Sequence, residues 1–173
     1  MSAVDNTPSN RNFLSPLGFK FIIKKAPHVN FFVQKVNIPS VQIVQADTSN
    51  PFVRTPYSGE HIDYGTLELS FKVDEDFQNY LEIYRWLQGL GFPEKFKQYD
   101  DLASNPSYSG DTLYSDVSLI VLAATKSSNY EFTFVDAFPI SLSSIPLNTI
   151  ENNVNYVDAT TTFKYTYFTV TNI

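Results

Sequence analysis

Three groups of side chains have types and spacing that could do chemistry. Asp74-Glu75-Asp76 sets three carboxylates in a row, the raw material of a divalent-cation site or an acid–base pair. The run directly precedes a helical pattern, however, where carboxylates serve as N-cap and dipole partners, and that role fits its position. Asp100-Asp101 and Asp111 lack the regular ligand spacing of a calcium loop and read as solvated loop charge. Glu60, His61 and Asp63 lie close together in a chain with many serines. A nucleophilic triad needs its serine on a strained turn beside the base, and no Gly-x-Ser-x-Gly occurs, so the proximity reads as chance. His28 follows Pro27 in a turn and carries no signal of its own. The absence of cysteine excludes a disulfide scaffold, a thiolate zinc site, an iron–sulfur cluster and a cysteine nucleophile. Two histidines are too few for a His-rich metal site, and six glycines form no phosphate-cradling loop. Lys24, Lys25 and Lys35, interleaved with aromatics, could suit single-stranded nucleic acid, but a lysine pair that blunts a strand edge fits an acidic chain better. Tyr84 and Trp86 could stack on a sugar; beside Leu81 and Leu87 at helical spacing they read as core. No catalytic, cofactor-binding or metal-binding residue is expected.

The elements that must position any site come next. The chain has 173 residues, 43% hydrophobic and 17% charged, which describes a folded domain with a core and not a disordered segment. Its formal net charge of −6 gives no bulk attraction for nucleic acid or anionic lipid. No apolar run approaches the roughly 20 residues that span a bilayer, and Met1 to Asn12 lacks an apolar signal core. A protein made and used in the cytosol, or carried in a particle assembled there, is expected.

Residues 1–15, rich in Ser, Asn and Pro, read as a flexible N-terminal arm, and 16–173 as one β domain. Phe19, Phe21 and Ile23 alternate as a strand, and Val29 to Ile38 reads as its hairpin partner. Residues 39–65, with three prolines, read as a long excursion or an edge hairpin. Leu67, Leu69, Phe71 and Val73 form the cleanest strand. A helix over 76–89 follows, expected to pack on the sheet through Phe77, Leu81 and Tyr84, with Gly89 and Gly91 ending it. Residues 93–115 read as a second exposed loop, and Val117 to Ala124 as a strand buried on both faces. Tyr130 to Phe138 reads as its partner, Pro139 to Asn155 as a connection and Thr160 to Val170 as the last strand. The expected fold is mainly β with one amphipathic helix: an antiparallel β-sandwich or rolled barrel of about six to eight strands.

The order of these elements resembles a known family. An Ile38-Pro39 boundary and a long excursion lead to Leu67-Glu-Leu-Ser-Phe-Lys-Val73, then to the acidic turn Asp74-Glu-Asp76. An aromatic-rich helix ending in Tyr84-Arg85-Trp86-Leu87 follows, then an aromatic-Pro step at Phe138-Pro139 and the strand Thr162-Phe-Lys-Tyr-Thr-Tyr167. Over roughly residues 16–170 this is similar to the tail tube proteins of contractile-tailed bacteriophages and, by wider analogy, to the inner tubes of related injection machines. The resemblance implies a structural virion protein. Homo-hexameric rings would stack into a tail tube, with sheath and baseplate proteins as partners, and DNA would pass through without specific binding. No enzyme activity, cofactor or membrane is implied. A tube initiator or baseplate hub of the same fold is the alternative, and a non-viral ligand-binding β-sandwich, such as a carbohydrate module, is the competing class.

A tube subunit needs subunit contacts and a channel face. Val41, Ile43, Phe52 and Tyr57, on Pro-bounded segments that a monomer has little means to cover, are the candidate subunit interface, together with the N-terminal arm. Two polar strand faces are candidates for the lumen: Thr66, Glu68, Ser70 and Lys72, or Thr160, Thr162, Lys164 and Thr166. The summed charge facing the channel is expected to be zero or negative, because phosphate binding would add drag.

Overall fold

The computed structural model describes residues 12–104, 113–149 and 156–173; the expected arm up to Arg11, Asp111 and the connection at 150–155 lie outside them. The protein is mainly β and antiparallel, with a seven-stranded sheet and a separate two-stranded one. The chain order is β1 (Phe19–Ile23), α1 (Pro27–Phe32), β2 (Val33–Asn37), β3 (Val41–Ser49), β4 (Arg54–Tyr64), β5 (Leu67–Lys72) and α2 (Gln78–Gly91). α3 (Lys97–Ala103), β6 (Ser115–Leu122), β7 (Ser128–Leu142), β8 (Asp158–Lys164) and β9 (Tyr167–Asn172) complete it.

The long strand β7 organises the main sheet. Its first half pairs with β6 on one side and β9 on the other, and its second half pairs with β8. β1 adds to β6, and β5 then β2 add to β8. The result is two four-stranded halves, β1-β6-β7-β9 and β7-β8-β5-β2, joined through one bent strand and not closed into a barrel. The inner faces of both halves feed a single core. Phe21, Ile23, Val117 and Phe134 come from one half, and Leu67, Leu69, Phe71 and Phe163 from the other.

Several expectations are corrected here. Residues 27–32 are helical, so β1 and β2 do not form a hairpin; β1 pairs β6 and β2 pairs β5. Pro27 supplies a preset first helical turn. The Asn30 amide then takes the place of a neighbouring strand: its Oδ1 accepts from Ile23 N (2.8 Å) and its Nδ2 donates to Ile23 O (3.1 Å). Residues 97–103 form α3, so 93–115 is not all loop and Asp100-Asp101 stand on a helix. β6 alternates buried Val117 and Leu119 with exposed Asp116 and half-buried Ser118, and so is not buried on both faces. Pro139 lies inside β7, at a bulge before Ser141. The last strand is two, broken at Tyr165-Thr166 where the chain rounds the bend of β7.

α2 covers one face, turned differently from the expected way. Phe77 (40% exposed) and Tyr84 (48%) point outward and Leu81 is half-buried. The buried side chains are Asn79, Ile83 and Trp86. Asn79 fixes this rotation: its Nδ2 donates to Lys72 O (2.7 Å), and its Oδ1 accepts from Asp74 N (3.3 Å) and Tyr80 N (2.8 Å). Trp86 meets Phe163 at 5.9 Å and donates from Nε1 to Leu113 O (2.8 Å). The acidic run does not cap the helix through a side chain. Phe77 is the N-cap, in the left-handed region, and Asp74 Oδ1 instead accepts from Asp76 N in a turn ahead of it. Gly89 sits inside the helix against Leu102 of α3, and Phe92 is the C-cap. Ile83→Ala should therefore cost about 2–5 kcal/mol of stability. Tyr84→Ala should stay within about 0.5 kcal/mol. Urea unfolding of both variants checks the orientation of the helix.

Candidate assembly surface

The segment 39–65 folds as a hairpin of its own. Among the described residues β3 and β4 pair with each other and with no other strand, and every residue of β3 is exposed. Gly65 N donates to Ser40 O (2.9 Å) and closes the root. Two extra residues of β4 are accommodated between the Ile43–Ile62 and Gln45–Ser58 pairs. There a Cβ on Gly59 would lie 1.9 Å from the Val44 carbonyl oxygen, so the bulge requires glycine. Asn50 Oδ1 accepts from Phe52 N (2.9 Å) and shapes the tip. All four sequence-predicted interface residues are on this hairpin and exposed: Val41 (51%), Ile43 (54%), Phe52 (95%) and Tyr57 (57%). Val44, Val53 and Ile62 join them, and no period-two pattern announced those three. His61 stands on β4 and is exposed, while Asp63 accepts from Gln42 Nε2 (3.1 Å), so the Glu60–His61–Asp63 group forms no triad.

The polar face of β2, β5 and β8 is the second surface. Lys72 and Asp158, directly opposed, pair at 2.6 Å. Asn37 Nδ2 donates to Glu68 Oε2 (3.1 Å), and the hydroxyls of Ser70 and Thr160 lie 3.1 Å apart. Lys164 Nζ donates to Tyr64 O (2.9 Å). The two sequence-predicted lumen candidates are thus one face, built from paired strands, with Thr162 opposite Glu68. Lys72 and Lys164 balance Glu68 and Asp158, and Lys35 on β2, opposite Ser70, adds one positive charge. Thr166 lies off this face, where its backbone N donates to Val135 O.

An isolated two-stranded hairpin is marginal in water, and an uncovered apolar one calls for a partner. The sequence profile of the family described as "Phage tail tube protein" matches residues 5–171. The chain belongs to the phage tail tube protein family. No curated protein matches this tail tube family member. Its fold is similar to the tube-terminating cap of the anti-feeding prophage, at 11% identity over 100% of both chains with a TM-score of 0.63. It is also similar to a chain of the sheath–tube complex of the PVC extracellular contractile injection system, at 11% identity over 100% of this chain and 99% of that one, with a TM-score of 0.61. A chain of the anti-feeding prophage baseplate matches at 13% identity over 96% and 97%, with a TM-score of 0.54. At these identities the likeness is one of fold.

Within this tail tube fold, sequence reasoning missed a polar seam between α1 and α2. Glu82 accepts from both His28 N (3.1 Å, Oε2) and His28 Nδ1 (2.5 Å, Oε1), which ties the two helices. The hydrogen bond and charge of Glu82 hold the imidazole above its usual pKa. Lys25 does not blunt an edge; it turns inward, 5.2 Å from the Trp86 ring centroid, and burial lowers its pKa to about 8. Two opposite pH dependences follow. The His28–Glu82 contribution is fully present below about pH 6.5 and is lost as pH rises through the raised folded-state value. Lys25 keeps fewer protons folded than unfolded between about pH 8 and its unfolded value near 10.4, so stability rises with pH across that window. Unfolding midpoints from pH 5 to 10 test this: Glu82→Gln should flatten the lower window and Lys25→Met the upper one. Among the described residues no helix is long and apolar enough to cross a membrane.

Proposed function

We propose that this chain is the repeating subunit of a tail tube, assembling as hexameric rings that stack and let DNA pass. The observation that carries the reading is the β3–β4 hairpin, an apolar projection paired, among the described residues, with no strand of the seven-stranded sheet, in a chain of the tail tube family. Support for sheath and baseplate partners comes from the similar chains found in a sheath–tube complex and in a baseplate reconstructed with six-fold symmetry. In a closed ring the free strand edges of neighbouring subunits find partners, which removes the liability that an open sheet edge presents. Catalysis has no part in this function: the work is done by complementary surfaces.

Negative-stain microscopy and light scattering of the purified chain test the reading. Rings or tubes are expected, and removal of residues 41–62 with a short bridge should leave a soluble monomer. Normal rings from the shortened chain would sink the role given to the hairpin.

We further propose that the face of β2, β5 and β8 lines the channel. Glu68 and Asp158 balance two of its three lysines, which limits counterion release by passing DNA, while Lys35 leaves the face at +1 per subunit, above the zero or negative sum expected from the sequence. Asp158→Asn removes the partner of Lys72 and raises the summed charge of this face from +1 to +2 per subunit, which doubles the excess positive charge of every layer. Assembled tubes of this variant should retain DNA at 50 mM salt and release it at 200 mM, unlike the unmodified tube. Equal retention by both tubes at both salt concentrations would place the channel on another face.

A further inference from the structure

Lys25 is 8% exposed, whereas its neighbour Lys24 is exposed. Lys25 enters a cleft of about 450 Å³ between α2 and α3. Glu82, Arg85 and Trp86 form the α2 wall, and Gln98, Asp101 and Leu102 the α3 wall. Each set has the spacing of one helix face. The walls are held in place. Gly89 lies so close to Leu102 that a Cβ there would meet Leu102 Cδ2 at 2.7 Å, and Trp86 Nε1 donates to Leu113 O. The indole ring is thereby fixed with its centroid 5.2 Å from Lys25 Nζ.

An ammonium held there loses hydration, and the ring face returns only part of it. Burial therefore favours the neutral amine, and a desolvated lysine amine is a nucleophile toward carbonyl carbon. With the pKa lowered to about 8, roughly a quarter of the amine is unprotonated at pH 7.5, against on the order of 0.1% of an ordinary lysine. The charged groups facing Lys25 are Glu82 and Arg85 from α2 and Asp101 from α3, with His28 of α1 beside Glu82. Glu82 is engaged by His28 through both oxygens. Among the described residues Arg85 and Asp101 join no ion pair; both are exposed, so the rim carries one charge of each sign. Such a rim selects against neither end of an uncharged guest, and the cleft has the volume of a small-molecule site.

We propose that Lys25 is a covalent binding site for a small uncharged aldehyde. Nζ adds to the carbonyl carbon, and both of its hydrogens leave with the carbonyl oxygen as water. Amine and aldehyde thus give imine and water, with nothing oxidised or reduced. The adduct replaces a buried ammonium by an imine that the same burial keeps neutral, so the desolvation that weakens the ammonium favours the product. Trp86 and Leu102 offer apolar surface to the alkyl part of the guest. This chemistry belongs to the single chain and needs no neighbouring copy, so it is independent of the tube reading.

Propanal with cyanoborohydride tests this on the purified full chain, because hydride from the reductant converts the reversible imine to a stable N-propyl amine. Peptide mass spectrometry then reads each lysine separately. At low conversion and neutral pH, Lys25 should be labelled at least fivefold faster than Lys24. The ratio should fall toward pH 10, where ordinary lysines also lose their protons. In urea above the unfolding midpoint the two should react alike. Trp86 is the chain's one tryptophan, so its emission reports on the cleft directly. Labelling should shift that emission in the unmodified chain and leave it unchanged in Lys25→Arg. Lys24 labelled as fast as Lys25 in the folded chain would overturn the proposal. A Lys25 preference that survives urea would overturn it too, since the cleft would then have no part in the reactivity. So would an emission unmoved at full Lys25 labelling.

Discussion

Strand β7 is shared by both halves of the main sheet, and the bend in it positions the rest. Its pairing with β9 ends at Val135 and its pairing with β8 begins at Phe138. Between them Asp136 takes φ 54°, a left-handed conformation that Asp tolerates better than most side chains. Asp116 Oδ1 accepts from Asp136 N (3.4 Å) at this corner, and β6 slips register beside it. The bend folds the two inner faces toward each other around Phe134, Phe163 and Tyr165. The packing has a cost. Tyr165 is buried with its hydroxyl unpartnered among the described residues, and burial and the nearby Tyr64 push its pKa up to about 12. Leaving such a group unpaired costs about 1–3 kcal/mol. The rings of Tyr64, Phe134 and Phe168, with centroids 5.0–6.2 Å from that of Tyr165, offset it.

What was legible in the sequence follows from which side chains alternate without competition. Phe19, Phe21 and Ile23, and Leu67, Leu69 and Phe71, obey period two, and both sets are strands facing the core. Val29, Phe31 and Val33 alternate as well, yet residues 27–32 are helical, because Pro27 starts a helix and Phe31 is left 83% exposed. In α2 two stripes competed. Phe77, Leu81 and Tyr84 have helical spacing, and so do Asn79, Ile83, Trp86 and Leu90; the second set faces the core. A buried Asn hid it, since its role is to hold the end of β5 and not to fill volume. The exposed hairpin residues were readable because prolines and glycines bound them. The Glu82 tie to His28 was not, because 54 residues separate the partners.

The hairpin and the core are held by different means. Core residues such as Leu67, Leu69 and Phe71 are wholly buried, and their stability comes from area removed from water. Along β3 no residue is buried, so its conformation rests on its ladder with β4, the Gly65–Ser40 closure and the Asn50 turn. Such a ladder holds a shape but gains little free energy in isolation. A shape specified without a core is what an interaction surface needs: it is preorganised, and its apolar area remains available for a partner.

The sheet edges are protected unequally, and the difference bears on assembly. β1 is closed at Ile23 by the Asn30 amide. β2 is short, bulged between Val33 and Lys35, and carries that lysine. Each device discourages a further strand. β9 (Tyr167–Asn172) has none of them. It lacks charge, proline and bulge, pairs only β7 among the described residues, and exposes Thr169, Val170 and Thr171. A solitary monomer gains nothing from such an edge and risks promiscuous pairing through it. In the ring proposed above a neighbour would cover this edge in every copy, so the open edge would cost nothing once assembled. That asymmetry, with an uncovered apolar hairpin on the same chain, is what physical chemistry expects of a tail tube protein that reaches its final stability in company with its own copies.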